Sequence, residues 1–386
     1  MLDSALRAPH LTLGAVDVLP AGELERRLER EVPLRVKLGI DPTAPDIHLG
    51  HVVVLEKLRQ FQRAGHVAVM IIGDYTARVG DPSGRSAERP VLGAEEIEAN
   101  ARTFQEQAFK VLDPGLTEVR FNSEWLDMPS AELFSLARRF TVARLLERDD
   151  FSKRMAAAQP ISMLELLYPV LQGYDSVAVR ADVELGGTEQ RFNLLFARDV
   201  QAAFGQPPQV VLTMPILPGT DGVRKMSKSL DNYVGVTEPA EEIFGKLMSV
   251  PDAAMGRYWE LVLGEQLDPG RPPLEAKRDL ARRICDRFAG PGSGIEAERR
   301  FDLVHRERGV PADVPVRELG SRDPIHLPVL LREQFGVSGS EARRLLEQGA
   351  VRVEGEVVPA DRLDLPAASL RGRVLQVGKR RFVRLA

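Results

Sequence analysis

Two short segments gather the residue types that phosphate chemistry uses. "GIDPTAPDIHLGH", Gly39 to His51, follows a short apolar run and closes on His48, Gly50 and His51. Imidazoles at a helix start can donate to a phosphate oxygen or a ribose hydroxyl, and the helix N-terminus adds free N–H groups and a positive dipole. Gly50 lets a flat ligand approach the backbone. Two His three residues apart are often only structural, and no third His or Cys stands nearby to complete a metal site. The second segment, "DGVRKMSKSLDN" from Asp221 to Asn232, collects Arg224, Lys225 and Lys228 with the hydroxyls of Ser227 and Ser229. By composition it is a surface loop, and a solvated turn is the ordinary reading of such a loop.

Between them lie three further polar groupings. "YPVLQGYDS" puts Tyr168, Gln172 and Asp175 at i, i+4 and i+7, one face of a helix. Such a stripe faces water or, if it faces a pocket, can hydrogen-bond both an ammonium and a phenol. "GDPSGRSAERP", Gly80 to Pro90, is a Gly/Pro/Ser loop with Asp81, Arg85 and Arg89. "ELGGTEQRFN", Glu184 to Asn193, has two glycines that permit close approach, followed by Glu189 and Gln190.

The elements that must position these groups are legible around them. "LRVKLGI", Leu34 to Ile40, reads as a strand, and the run from His66, "HVAVMIIGD", as a second. A helix from near Leu49 lies between, with Val54, Leu58 and Phe61 on one face and Gly65 as its stop. Strand, helix, strand at this length is a right-handed βαβ unit with a parallel pair. Another helix runs from Ala94 to Leu112, and Ser130 can cap a third through "AELFSLARRFTVARLLER". "PQVVLTMPIL" is a strand that leads into the lysine loop. The expected fold is therefore α/β, a Rossmann-like doubly wound parallel sheet at 1–236. Helical patterns follow at 237–310, then a Pro/Gly-rich linker at 311–325 and a small α+β module at 326–386.

Bulk properties narrow the class. At 386 residues the chain is long enough for two or three domains, and 44% hydrophobic with 28% charged residues is the composition of a soluble globular protein. A single cysteine, Cys285, excludes an intrachain disulfide framework and reads as a small buried or half-buried hydrophobe. The N-terminus does not read as a secretory signal and no apolar run is long enough to span a bilayer, so the expectation is a cytoplasmic protein without membrane contact. From Leu327 onward eleven Lys/Arg face seven Asp/Glu, a net of +4, which leaves −8 on the remainder of a chain whose total is −4. A basic tail on an acidic body points to nucleic acid.

"HLGH" together with "KMSKS", in this order and about 175 residues apart, resembles the paired signatures of class I aminoacyl-tRNA synthetases. The stripe at Tyr168, Gln172 and Asp175 and the tail are similar to those of bacterial tyrosyl-tRNA synthetases, a likeness that covers nearly the whole chain. This resemblance implies ATP as a substrate, with Mg2+ on its phosphates, no tightly bound cofactor and no metal ligand set in the protein. It implies Thr43, His48, Gly50, His51, Gly187, Glu189, Lys228 and Ser229 around ATP, and Lys225, Lys228, Arg85 and Arg89 on the departing pyrophosphate. Tyrosine would meet Gly39, Asp81, Tyr168, Gln172 and Gln190, with Asp175 on its phenol. The tail resembles an S4 RNA-binding domain whose Arg343, Arg344, Lys379, Arg380 and Arg381 would contact tRNA(Tyr); by its residues alone it could equally be a protein-contact module. The family is homodimeric.

Two positions depart from the pattern. Glu189 stands where the family usually has Asp, and Lys37 stands where many bacterial members have a first-strand Tyr that touches the substrate hydroxyl. Rival readings are a tryptophan-activating relative, a small-molecule adenylyltransferase, which would not need the tail, and an RNA-binding protein that has lost activity.

Overall fold

Strands whose residues are buried almost throughout form the middle of the main sheet. In this computed structural model, which describes residues 8–43, 45–82, 93–305, 314–320, 322–378 and 381–386, six strands build it: β1 (Asp17–Leu19), β2 (Arg35–Ile40), β3 (Val67–Ile72), β4 (Thr117–Phe121), β5 (Val183–Gly187) and β6 (Val210–Met214). Their order is β1-β6-β5-β2-β3-β4, with β1 antiparallel at the edge and the other five parallel. Central parallel strands are covered on both faces and read as apolar runs, as "VAVMII" and "VVLTM" do. The chain steps outward from β2 to β4, then returns to β5 on the other side. The switch point between β2 and β5 is where such sheets bind ligands, beyond the strands' carboxyl ends.

Four helices matter to the site: α1 (Leu49–Arg63), α2 (Ala94–Ala108), α3 (Met163–Ala178) and α4 (Arg191–Ala203). α1 buries Val52, Leu55, Leu58 and Phe61 and ends before Gly65, whose φ of 87° is the left-handed turn glycine allows. α3 starts with a reciprocal cap, Ser162 accepting from Glu165 N and Glu165 accepting from Ser162 N. It lies tightly on α4 because Gly173 has no side chain; a Cβ there would sit 2.5 Å from Val200 Cγ2. Leu126, Leu136 and Leu145 close the cluster around Val170, Leu171, Phe196 and Val200.

The helix expected to run unbroken from Ser130 is in two pieces. Ser130 is its first residue rather than its cap, Ser130–Ala137 ends early, and Val142–Leu145 restarts the chain. The restart is local chemistry, since extended Thr141 accepts from Arg144 N through its hydroxyl at 3.3 Å.

Two units divide the chain, one holding residues up to Pro239 and Lys246–Leu280, the other Ala240–Gly245 and Ala281–Ala386. The helical stretch 237–310, expected as a domain of its own, is thus shared between them. In the second unit a five-stranded sheet has the order β10-β9-β12-β13-β7, from β7 (Val316–Arg317), β9 (Val351–Val353), β10 (Glu356–Val357), β12 (Val374–Val377) and β13 (Arg381–Leu385). β8 (Ile325–His326) and β11 (Asp364–Leu365) form a separate pair. β7 falls inside the stretch expected as a linker, and Leu319 joins the same core as Leu331, Leu346 and Leu375. Cys285 is buried as expected, its thiol bonded to Ala240 O at 3.2 Å and pushed up to about 12 by burial. Among the described residues no helix is long and apolar enough to cross a membrane.

Candidate active site

Beyond the carboxyl ends of β2, β5 and β6 opens a cavity of about 500 Å³. Its lining includes Gly39, Thr43, His48, Gly50, His51, Asp81, Tyr168, Gln172, Asp175, Gly187, Glu189, Gln190, Lys225, Lys228 and Ser229, so every residue expected at the activation site and described by the structure meets there. Arg85 and Arg89 lie outside the described residues, as do Lys379 and Arg380 in the tail.

At one end the α1 start is capped by its own imidazoles. His48 Nδ1 accepts from Gly50 N at 3.1 Å and His51 Nδ1 accepts from His48 N at 3.2 Å. The rings stack 3.9 Å apart. Gly50 is required here, because a Cβ would come within 2.9 Å of the His48 ring. Burial, then the neighbouring His51 and lysines, push His48 down to about 2, while burial with Lys225 and Lys228 holds His51 near 4. Both rings are therefore neutral at pH 7, and with each Nδ1 accepting, Nε2–H is the donor each can offer. The expectation of free backbone N–H groups is corrected here: Leu49 N donates to Val234 O at 2.9 Å, Gly50 N to His48, and His51 N to His48 O at 2.8 Å. What this helix end can offer a ligand is therefore its side chains.

The lysine loop is less solvated than its composition predicts. Met226 is buried and its N donates to Leu217 O, while buried Asn232 receives Ser227 N at 2.8 Å and donates to Lys225 O at 3.1 Å. Arg224, the third cation, is used locally against Asp221 at 2.8 Å. Lys225 pairs with Glu189 and Lys228 with Asp46. Val236 N donates to Ile47 O at 3.0 Å, which with the Leu49 bond stitches the segment after the loop to the segment before α1. One oxygen of Glu189 is buried and has no hydrogen-bond partner among the described residues.

The other end is a side-chain network built on α3. Tyr168 Oη donates to Asp41 at 2.8 Å, Thr76 Oγ1 donates to the other Asp41 oxygen at 2.7 Å, and Asn122 donates to Thr76 at 2.9 Å. Asn122 also reaches Asp175 at 3.4 Å, and Trp125 Nε1 donates to it at 2.8 Å. Burial outweighs these donors and pushes Asp175 up to about 7, Lys37 being the chief opposing influence. Asn193 donates to Gln172 at 3.0 Å, and Gln190 donates to Asp81 at 2.7 Å.

Sequence reasoning missed Asp41, Thr76, Asn122 and Trp125. Asp41 had a signal, since it is a carboxylate directly after a strand end, and Gly73 is the glycine that makes room for it; a Cβ there would lie 2.0 Å from Asp41 Oδ1. Lys37, expected to leave the phenol with one partner fewer, does not line the cavity at all. It is fully buried and ion-paired with Glu184 at 2.8 Å.

Residues 29–269 match the family described as "tRNA synthetases class I (W and Y)". The chain belongs to that class of synthetases. Its similarity to individual members runs the full length: it is 49% identical over 390 residues to a tyrosine–tRNA ligase of Geobacter sulfurreducens, covering 96% of each chain. To that of Nitratidesulfovibrio vulgaris it is 47% identical over 401 residues, covering 100% of this chain and 99% of the relative. The fold is similar to a tyrosyl-tRNA synthetase of Archaeoglobus fulgidus complexed with L-tyrosine, with TM-score 0.59, 22% identity and coverage of 74% and 96%. A C-terminally truncated mitochondrial tyrosyl-tRNA synthetase of Aspergillus nidulans gives 0.63, with 21% identity and coverage of 78% and 92%.

Proposed function

We infer that this site is that of a tyrosine–tRNA ligase: it joins tyrosine and ATP to tyrosyl-adenylate and pyrophosphate, then passes tyrosine to the terminal ribose of tRNA(Tyr). The observation that carries the reading is one cavity with a buried carboxylate, Asp175, among hydrogen-bond donors at one end and two loop lysines at the other. A phenol fits the first end. A ring without a hydroxyl leaves Asp175 short of a partner, and sites built to bond a hydroxyl reject such analogues strongly, tyrosyl-tRNA synthetases being the standard illustration of that rule. Tyr168, Gln172 and Asp81 serve the ammonium, with Asp41 adding a carboxylate behind Tyr168.

In the first step the tyrosine carboxylate attacks the α-phosphorus and the bond to pyrophosphate breaks. No enzymic base is needed, because the nucleophile is already ionised. The protein supplies position and charge. His48 and His51 offer neutral donors, and Lys225 and Lys228 exchange Glu189 and Asp46 for phosphate oxygens. The unpartnered Glu189 oxygen suits a ribose hydroxyl. Mg2+ on the phosphates belongs to the same reading and would supply charge neutralisation there.

The tail acts on tRNA through exposed Arg343 and Arg344 on the Gly339–Glu347 helix and through exposed Arg381. The exposed Phe134, Met155, Met163 and Leu164 around the start of α3 support a homodimer. A cytoplasmic location fits the reaction. The test is pyrophosphate exchange into ATP, which should depend on tyrosine; better support by tryptophan, or exchange without any amino acid, overturns the reading.

A further inference from the structure

A lysine and a glutamate stand side by side in the middle of the sheet, at positions paired in register on β2 and β5. Their side chains are 0% and 1% exposed. Taking two charges out of water is costly unless every donor and acceptor is matched, and here they are. Lys37 Nζ has three partners: Glu184 Oε1 at 2.8 Å, Ser176 Oγ at 2.8 Å and Gln172 O at 3.0 Å. Glu184 in turn accepts from Ser176 at 3.3 Å, from Gln209, and from Gln172 Nε2 at 3.5 Å. Gln172 and Ser176 are one turn apart on α3, and Asp175 lies between them. The ammonium thus grips the turn of helix that carries the pocket's carboxylate.

We propose that Lys37, held by Glu184, is a specificity-determining residue of the tyrosine pocket: it fixes the Gln172–Ser176 turn and supplies the counter-charge that favours the anionic form of Asp175. This rests on the reading of Asp175 as the phenol's partner. The charge state matters because an ionised carboxylate left unbonded beside a bare ring costs far more than a neutral carboxylic acid does. Lys37 thereby sets the penalty against phenylalanine without touching the substrate. It is a positioning residue.

Among the described residues, Lys37 from β2 and Glu184 from β5 are the charged groups that act on Asp175; Asn122 and Trp125, from the segment after β4, are neutral, and Asp41 is linked to it through Thr76 and Asn122. Lys37 is the largest influence drawing Asp175 down from its raised value, and Glu184 adds to burial in pushing it up. The two should therefore have opposite effects on one titration.

The measurement is the ratio of kcat/KM for tyrosine to that for phenylalanine in pyrophosphate exchange, from pH 5.5 to 9, in the full-length protein. In the wild type the ratio should climb as pH passes about 7. In Lys37→Met/Glu184→Gln the climb should move to higher pH and the ratio at pH 7 should fall at least roughly tenfold. In Glu184→Gln alone the climb should move to lower pH. A residue that only supports the fold would not shift the two variants in opposite directions. If the double variant does not fold, the direction of the single one decides. Asp175→Asn separates the two levels of inference. If it keeps both ratio and climb, Asp175 does not bind the phenol and the pocket reading falls. If it loses them while both Lys37/Glu184 variants titrate as the wild type does, only the proposal for Lys37 falls.

Discussion

The two ends of the cavity are held by different means. Asp175, Tyr168, Thr76 and Asn122 are buried, Asp41 and Trp125 are half-buried, and all six are already bonded to one another. Around the nucleotide end the cations sit on a loop, with the Lys225 side chain 55% exposed, and their partners are carboxylates that a ligand can replace. A rigid end suits recognition, which gains from groups that cannot rearrange to suit the wrong ring. An end made of exchangeable ion pairs suits stabilisation of a leaving group, where contacts formed late raise the rate without tightening ground-state binding.

On that division, the largest effect belongs to the exchangeable end. Lys228→Ala should slow adenylate formation by about 10²–10³-fold in single-turnover experiments while the tyrosine Kd stays within about threefold; an unchanged rate would remove the lysine from the chemistry. Next comes the rigid end. Trp125→Phe takes from Asp175 its shortest donor, and kcat/KM for tyrosine should drop about tenfold. A tail variant, Arg343→Ala/Arg344→Ala/Arg381→Ala, should weaken tRNA binding by about tenfold and flatten its salt dependence, with tyrosine-dependent exchange unaltered. Equal loss of exchange would tie the tail to activation instead.

The rigid end also has a pH signature. Asp175 is raised in the folded state, so its contribution to stability is complete below about pH 4 and is lost as pH rises through about 7. Thermal unfolding of the ligand-free protein should show that loss, at most about 4 kcal/mol, and Asp175→Asn should remove the slope. The smallest effect tests the ion pairs themselves. Asp46→Asn frees a partly exposed lysine, and the KM for ATP should change by no more than about threefold.

Much of this was legible in the chain. The βαβ unit, the two signature segments and the α3 stripe announce themselves through local periodicity and residue type. What was not legible depends on register and on partners distant in sequence. Asn122 and Trp125 reach Asp175 across about fifty residues of chain, and nothing near them marks them as functional. Lys37 read as the loss of a substrate contact because a lone Lys has no local partner. The strands themselves carry the missing signal: inside "RVKLGI" Lys37 stands between Val36 and Leu38, inside "VELGG" Glu184 stands between Val183 and Leu185, and opposite charges flanked by apolar residues on two buried strands need each other. The broken helix after Ser130 failed for a related reason, because apolar periodicity ran through Thr141 while its hydroxyl served to start a new turn.

The bonds from Leu49 N to Val234 O and from Val236 N to Ile47 O act as a leash. They pin the chain just downstream of the lysine loop to the root of α1, and Met226 N on Leu217 O pins it upstream. Lys228 lies on the short span between those pins, which Asn232 ties again through Ser227 N and Lys225 O. The length of that span therefore fixes how far from the root of α1 the lysine can stand, and adding a few residues to it would loosen that placement without changing any functional side chain.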